Sequence, residues 1–325
     1  MAPRQPGNDR LLQFYEGMLT IRRAEERLQA LFADGEVPGF IHLSIGQEAV
    51  PVGISASLRP TDTVASNHRG HGHALAKGID LDGFFAELMG RETGLCRGRG
   101  GSMHVADVAI GMLGANGIVG AGLPIALGSA LAHRTRGTDA VAGAYFGDGA
   151  LAEGVLHECL NIAALWRLPM LFACENNGWS EFSPTDRQMK AKLGDLAGAF
   201  AIPHHDVDGN DVEAVAAAAA ECIAALRRGD GPRVLECRTT RVRGHFEGDR
   251  QDYRPPDEIA GLKDADPIAR CRARLLAAGV AEARLDAVAD AVDGRIGRAV
   301  ERARAAAEPG FAAALADVYT AAAGG

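Results

Sequence analysis

The chain has 325 residues, of which 47% are hydrophobic and 23% are charged, and its formal net charge is −8. Such a chain is long enough for one large domain or two modest ones with a sizeable buried core. Its acidic balance and its low aromatic content of 5% disfavour nucleic-acid binding, which requires basic patches or aromatic stacking platforms.

No targeting or membrane-spanning segment is predicted. Residues 1–10 are polar, and the six cysteines form no C-x-x-C pair, which is typical of reduced thiols in a cytoplasmic protein. Residues 108–132 carry no charge and are long enough to cross a bilayer, but Pro124 and several glycines interrupt them. The pattern therefore favours a loop that leads into a buried helix.

Apolar periodicity predicts a helix in each of the first segments of the chain. A long N-terminal helix is expected to be capped by Asn8 or Asp9 and to end at Gly35. Further helices are predicted over about 48–58, through 84–89 and over about 122–133. Between the last two lies a glycine-rich loop, RGRGGSMH.

The middle of the chain is typical of a strand–helix–strand unit that builds a parallel sheet. The predicted strands cover 141–146 and 170–174, and the predicted helix covers 153–166. More strands are expected over 202–207 and 233–241, around an alanine-rich helix from about 212 to 228. The sequence thus predicts a single α/β domain over residues 1–325, with a helical C-terminal extension from about 266 to 325.

Polar motifs follow the two strands of this unit. The first strand ends in Gly-Asp148-Gly and the second in Glu-Asn-Asn177, with 26 residues between Gly149 and Asn176. One crossover helix fits that spacing, so Asp148 and Asn177 are expected to face each other at the carboxyl edge of the sheet. Either motif alone is usually a turn, but together they predict a Mg²⁺ site that is completed by phosphate oxygens.

This combination resembles the thiamine diphosphate-binding motif. Over about residues 10–320, further segments resemble, in order, the alpha subunit of the thiamine-dependent component of 2-oxo-acid dehydrogenase complexes: SIGQEA, HRGHG, RGRGGSMH, GANGIVGAGLP, GDGALAEG, LNIAALWRLP and CENN. HRGHGHALAKG, GMLGANGIVGAG and GHFEGD are most similar to acetoin dehydrogenase alpha chains, and pyruvate dehydrogenase comes second. The resemblance implies a three-layer, doubly wound parallel sheet of the thiamine diphosphate-binding type.

The resemblance also implies a set of binding residues. Mg²⁺ would be held by the side chains of Asp148 and Asn177 and by the main-chain carbonyl of Trp179. The remaining cofactor-binding residues are expected to contact the diphosphate or the aminopyrimidine ring: His68, Arg69, Gly117, Val119, Gly149, Ala150, Arg241 and His245. Two arginines and a divalent cation suit a diphosphate electrostatically.

Three histidines are catalytic candidates: His42, His71 and His245. Imidazole can move a proton or stabilise a developing alkoxide near neutral pH, although each ring could instead be a hydrogen-bonded structural group. His68, His71 and His73 could also suggest a transition-metal site, which the intervening glycines and the lack of an adjacent acid ligand disfavour.

The resemblance implies that the chain carries only half of an active site. In this family the Glu that activates the pyrimidine comes from a beta subunit of an α2β2 assembly, and Glu48 and Glu153 are better explained as helix-start acids. A lipoyl-bearing acyltransferase would accept the two-carbon unit. Phe246 occupies a position where mitochondrial relatives carry a phosphorylated Ser, which excludes phosphorylation there.

Several functions stay open at this point. The expected activity is cleavage of acetoin, and the alternative is decarboxylation of pyruvate or a branched-chain 2-oxo acid. A dinucleotide-binding protein is disfavoured because GAGLPI has Ile125 at the third glycine position and follows no strand. A non-catalytic subunit is disfavoured by the complete set of Arg69, Asp148, Asn177 and His245.

Overall fold

The computed structural model describes residues 6–316, and side chains over 7–315. Its centre is a six-stranded sheet in which all neighbouring strands are parallel, in the order β2-β1-β3-β4-β8-β7, and β5 and β6 form a separate antiparallel pair. The strands are β1 Thr63–Ala65, β2 Met112–Gly114, β3 Ala142–Gly147, β4 Met170–Asn176, β5 Trp179–Ser180, β6 Ser183–Pro184, β7 His204–Asp208 and β8 Arg233–Arg238.

Helices connect and cover these strands. They are α1 Pro6–Ala33, α2 Ala49–Ser55, α3 His71–Lys77, α4 Leu81–Leu88, α5 Gly122–Thr135, α6 Gly154–Leu165, α7 Leu193–Ala199, α8 Val212–Arg227, α9 Pro256–Gly261, α10 Pro267–Ala277, α11 Glu282–Ala305 and α12 Phe311–Ala316. The predicted cap at Asn8 or Asp9 is wrong, because α1 already includes both residues. The helical C-terminal region is confirmed up to Ala316, and residues 317–325 lie outside the described part.

Alternating strand residues enter two separate cores, one on each face of the sheet. On β3, Tyr145 packs with α1, α2 and α8, whereas Ala144 and Phe146 pack with α5, α6 and α7. The predicted three-layer parallel sheet is therefore confirmed. β1 and β2 were not predicted, because strands of three residues are too short to show a hydrophobic period.

The prediction that α5 is buried is correct for one face only. Leu123, Ala126 and Ala130 lie in the core, whereas Ile125 and Leu131 are 45% and 38% exposed. α5 has 14 residues, and among the described helices none is both long and apolar enough to cross a membrane. All six cysteines are free, and only Cys96 is not fully buried.

The carboxyl ends of β1, β3 and β4 lie side by side at one edge of the sheet. Gly147 pairs with Glu175 in the register of β3 and β4, so the turns that follow both strands start at the same level. Asp148 opens the 3-10 turn after β3, and Asn177 follows β4 directly. The segment after β1 carries His68 and Arg69 to the same edge.

Candidate active site

A cavity of about 470 Å³ opens at this edge of the sheet, a size that suits a small-molecule cofactor. Twelve of the thirteen residues that the sequence singled out line it: His42, His68, Arg69, Gly117, Val119, Asp148, Gly149, Ala150, Asn177, Trp179, Arg241 and His245. Segments from residue 42 to residue 245 therefore converge here. His71 is the exception and does not line the cavity.

Asp148 and Asn177 are direct neighbours. The Asn177 amide N–H lies 3.3 Å from Asp148 Oδ1, and the Thr185 hydroxyl donates to Asp148 Oδ2. The Asn177 side chain donates to Gln47 Oε1 at 2.9 Å and accepts from the main-chain N–H of Trp179 at 3.1 Å. These bonds fix a carboxylate and an amide oxygen side by side, which is a donor set that Mg²⁺ prefers.

The Asp148 carboxyl is 1% exposed, and burial raises its pKa to about 6. An ionised carboxylate is costly at a buried position, and a divalent ion would offset that cost. The hydrogen bonds from Thr185 and Asn177 offset only part of the cost. The charge state of Asp148 therefore fits a cation site.

Two arginines form a positive wall of the cavity. Arg69 is 5% exposed and donates to the main-chain oxygens of Leu43 at 2.5 Å and His245 at 3.0 Å. Burial, followed by repulsion from Arg241, lowers the pKa of Arg69 to about 10. Among the described residues neither guanidinium forms an ion pair with a carboxylate, and Arg241 Nε is buried without a hydrogen-bond partner. Buried cations without an ion-pair partner can form an anion site.

Three imidazoles meet beside these arginines. The ring centroids of His42, His68 and His245 lie 4.8 to 5.3 Å apart. Burial, followed by the positive charge of Arg69, lowers the pKa of His42 to about 3 and that of His245 to about 4. Both rings are therefore neutral at pH 7 and each keeps a buried Nδ1 without a hydrogen-bond partner in the described residues. Neutral rings of this kind can accept or pass a proton.

His71 is held away from the cavity in a buried chain of hydrogen bonds. Its Nδ1 lies 2.9 Å from Glu25 Oε2 and its Nε2 lies 2.8 Å from Ser102 Oγ. Both ring nitrogens are thus engaged and the ring is 0% exposed, so this geometry supports the structural interpretation of His71 over the catalytic one. Glu25 also accepts from Ser44, two residues after His42.

The neighbouring His73 points to a third set of partners. Its Nδ1 lies 2.7 Å from Ser66 Oγ, its Nε2 lies 3.1 Å from Glu175 Oε2, and its ring stacks on Tyr145 at 3.9 Å. His68, His71 and His73 therefore do not converge on one point. No group of three or more metal-ligating His, Cys, Asp or Glu side chains occurs within residues 6–316.

Trp179 is fixed by two residues that do not line the cavity. Its indole Nε1 donates to Glu258 Oε1 at 2.8 Å, and the Arg254 guanidinium lies 5.6 Å from the centre of its ring. Arg254 in turn donates to Glu258 and to the main-chain oxygen of Arg241. Arg254 and Glu258 thus connect Trp179, in the loop that follows Asn177, to the main chain at Arg241.

Other cavity residues were missed from the sequence. Gln47 and Met103 belong to segments that the resemblance included, but no pattern distinguished them from their neighbours. Glu175 lies in the ENN motif and was interpreted only as a strand end. Thr185 does not line the cavity but is hydrogen-bonded to Asp148, and no sequence pattern indicated that contact. Of the two glutamates considered, Glu48 is buried in an ion pair with Arg22, whereas Glu153 lines the cavity beside α6.

Comparison with known proteins identifies the family. The model of the dehydrogenase E1 component family matches residues 16–312. The chain belongs to this family. It is 45% identical over 317 residues to the alpha subunit of acetoin:2,6-dichlorophenolindophenol oxidoreductase of Bacillus subtilis, covering 96% of this chain and 94% of the relative.

Two further relatives show the range of activities. The protein of the same name from Cupriavidus necator is 45% identical over 312 residues, covering 95% of this chain and 94% of the relative. The pyruvate dehydrogenase E1 component subunit alpha of Zymomonas mobilis is 44% identical over 280 residues, covering 85% and 79%. Membership of the E1 component family implies thiamine diphosphate. The residues present fit that group, because two buried arginines without an ion-pair partner and a buried carboxylate line one cavity.

Proposed function

We propose that this chain is the alpha subunit of a thiamine diphosphate-dependent dehydrogenase that cleaves acetoin. The observation that carries the proposal is that two buried arginines without an ion-pair partner, Arg69 and Arg241, line one cavity together with the buried carboxylate of Asp148. That arrangement suits a diphosphate with Mg²⁺. The two relatives named as acetoin oxidoreductase alpha subunits support the choice of substrate.

Each residue has a definite part in this proposal. Asp148, Asn177 and the main-chain carbonyl of Trp179 would hold Mg²⁺, and Arg69 and Arg241 would hold the diphosphate. Gly149 and Ala150 would let the backbone approach its oxygens, and Gly117 and Val119 would contact the pyrimidine ring. When bound, thiamine diphosphate supplies the nucleophilic carbon for attack on a carbonyl.

His42 and His245 would handle protons on the substrate side of the cavity. Their lowered pKa values keep both rings neutral in the cofactor-free protein, and a bound diphosphate would favour protonation because it is anionic. His68 contacts both rings, and a bound diphosphate would favour its protonation in the same way. A neutral imidazole at Nδ1 can accept a proton, and its protonated form can stabilise a developing alkoxide.

The catalytic unit would be an α2β2 assembly. Relatives named as alpha subunits support a beta subunit partner, which would supply the Glu that activates the pyrimidine. A lipoyl-bearing acyltransferase would accept the two-carbon unit. Pyruvate is the second candidate substrate, because the Zymomonas mobilis relative is a pyruvate dehydrogenase subunit at 44% identity.

The test is to co-purify a tagged copy with its partner from source cells and assay dye reduction. Thiamine diphosphate and Mg²⁺ are supplied with acetoin, pyruvate or a branched-chain 2-oxo acid. Turnover of acetoin supports the proposal, and turnover of a 2-oxo acid alone replaces the substrate but keeps the site. Turnover by the isolated chain would refute the split active site.

A further inference from the structure

The glycine-rich loop that precedes the cavity residue Met103 surrounds the buried carboxylate of Glu87. The Glu87 carboxylate on α4 accepts four main-chain N–H groups: those of Cys96 at 2.7 Å, Gly98 at 2.8 Å, Gly100 at 2.7 Å and Gly101 at 3.1 Å. Main-chain amides that converge in this way form a concave anion site, as in phosphate-binding loops. Here an internal carboxylate that is 0% exposed fills the site.

The loop is shaped for this close approach. Gly98 and Gly101 adopt φ values of +68° and +60°, which favour glycine. A Cβ at Gly94 would lie 2.5 Å from Glu87 Oε2, and one at Gly100 would lie 3.3 Å from Oε1. Gly94 and Gly100 therefore leave room for the Glu87 carboxylate, and the N–H groups of Gly98, Gly100 and Gly101 are not free to bind a phosphate.

The far end of the same loop reaches the cavity. Ser102 Oγ is hydrogen-bonded to His71 Nε2 at 2.8 Å, and the next residue, Met103, lines the cavity. A Cβ at Gly117 would lie 3.6 Å from Met103 Sδ, so Met103 supports the segment that carries Gly117 and Val119. A short stretch of backbone, fixed by hydrogen bonds, thus connects the Glu87 contact to the cavity wall that contains Gly117 and Val119.

We propose that Glu87 is a positioning residue, which fixes the glycine-rich loop so that Met103 supports the pyrimidine-side wall of the cavity. The inference rests on the proposed function, because it assigns that wall to thiamine diphosphate. Glu87 touches neither the arginine wall nor Asp148 in this structure. Its effect is therefore confined to the part of the ligand that lies beyond the diphosphate.

Glu87→Gln is the main variant, and Glu92→Gln is the matched control because Glu92 is exposed on the same segment. Carboxylate oxygens accept from all four amides, whereas the NH2 group of Gln would face two of them as a donor. Hydrogen–deuterium exchange of peptides covering 95–104 should be about tenfold faster in Glu87→Gln and unchanged in Glu92→Gln. Unchanged exchange in Glu87→Gln would overturn the anchoring role, whatever the cofactor is.

Binding is then measured with the co-purified enzyme and Mg²⁺, using thiamine diphosphate and inorganic pyrophosphate as probes. In Glu87→Gln the Kd for thiamine diphosphate should rise about tenfold, while the Kd for pyrophosphate stays within about twofold of the wild-type value. Loss of both ligands, or of neither, would overturn the positioning role. Wild-type enzyme that binds no thiamine diphosphate would overturn the proposed function, and this role with it.

Gly101→Ala keeps the test decisive if Glu87→Gln does not fold. A Cβ at Gly101 meets no atom within 4 Å, so this change strains only the backbone of the loop, through its positive φ. It should weaken thiamine diphosphate binding with the same selectivity over pyrophosphate. Equal affinity of Gly101→Ala and wild type for thiamine diphosphate would count against the proposal.

Discussion

The Arg69 guanidinium donates a 3.0 Å hydrogen bond to the main-chain oxygen of His245, 176 residues further along the chain. The contact joins the segment after β1 to the segment after β8 across the cavity. The Arg69 side chain therefore links two segments of the cavity wall and also supplies part of the positive charge of the site. The cation has no ion-pair partner among residues 6–316, so its charge stays available to a ligand.

Replacing Asp148 by Asn should separate cofactor binding from stability. The variant should lose Mg²⁺-dependent thiamine diphosphate binding by a factor above ~100, because it removes a charged ligand. The thermal midpoint of the cofactor-free protein should stay equal or rise, because the wild-type carboxyl is buried with a raised pKa. Calorimetric titration and thermal unfolding measure the two effects. Asp186→Asn, on the exposed part of the neighbouring loop, is the control and should change neither.

Replacing Arg69 by Gln should weaken thiamine diphosphate binding by about 100-fold, because a buried charge for the diphosphate is lost. Arg69→Lys should recover part of the affinity, since it restores the charge without the planar fork. Arg250→Gln is the control, because that side chain is 84% exposed. Wild-type affinity in Arg69→Gln would remove Arg69 from the proposed site.

Acid should destabilise the protein partly through His245. Its pKa is about 4 in the folded chain and 6.5 in the unfolded reference, so only the unfolded state takes up this proton between those values. The free energy of unfolding should therefore fall as the pH drops from 6.5 to 4, and should do so less steeply in His245→Gln. Urea unfolding at several pH values measures both slopes.

The two tryptophans offer a direct optical test. Trp179 lines the cavity, whereas Trp166 lies at the end of α6 and is 44% exposed. Thiamine diphosphate with Mg²⁺ should quench the fluorescence of wild type and of Trp166→Phe. Trp179→Phe should retain cofactor binding, because the main chain supplies the proposed metal ligand, but should lose the quenching. Quenching that persists in Trp179→Phe would place the cofactor elsewhere.

Much of this architecture could be predicted because its signals are local. The strands before Asp148 and Asn177 are continuous apolar runs bounded by turn residues, and the spacing between them fits one crossover helix, which makes the two strands parallel. The role of His71 could not be settled, because its partners Glu25 and Ser102 lie 46 and 31 residues away. The role of Glu87 could not be predicted for the same reason, because the role of a buried carboxylate depends on the backbone that packs around it.

The order of the strands has a consequence for synthesis of the chain. β8 lies between β4 and β7, yet the ribosome makes it last of the three. Until then β7 has no neighbour in the sheet, and the apolar strand β4 presents an open edge for the several seconds needed to make residues 177–232. Aggregation during expression should therefore depend on this interval. Slowing translation within it, or removing chaperones that cover apolar strands, should lower the yield of native protein more than the same change after residue 240.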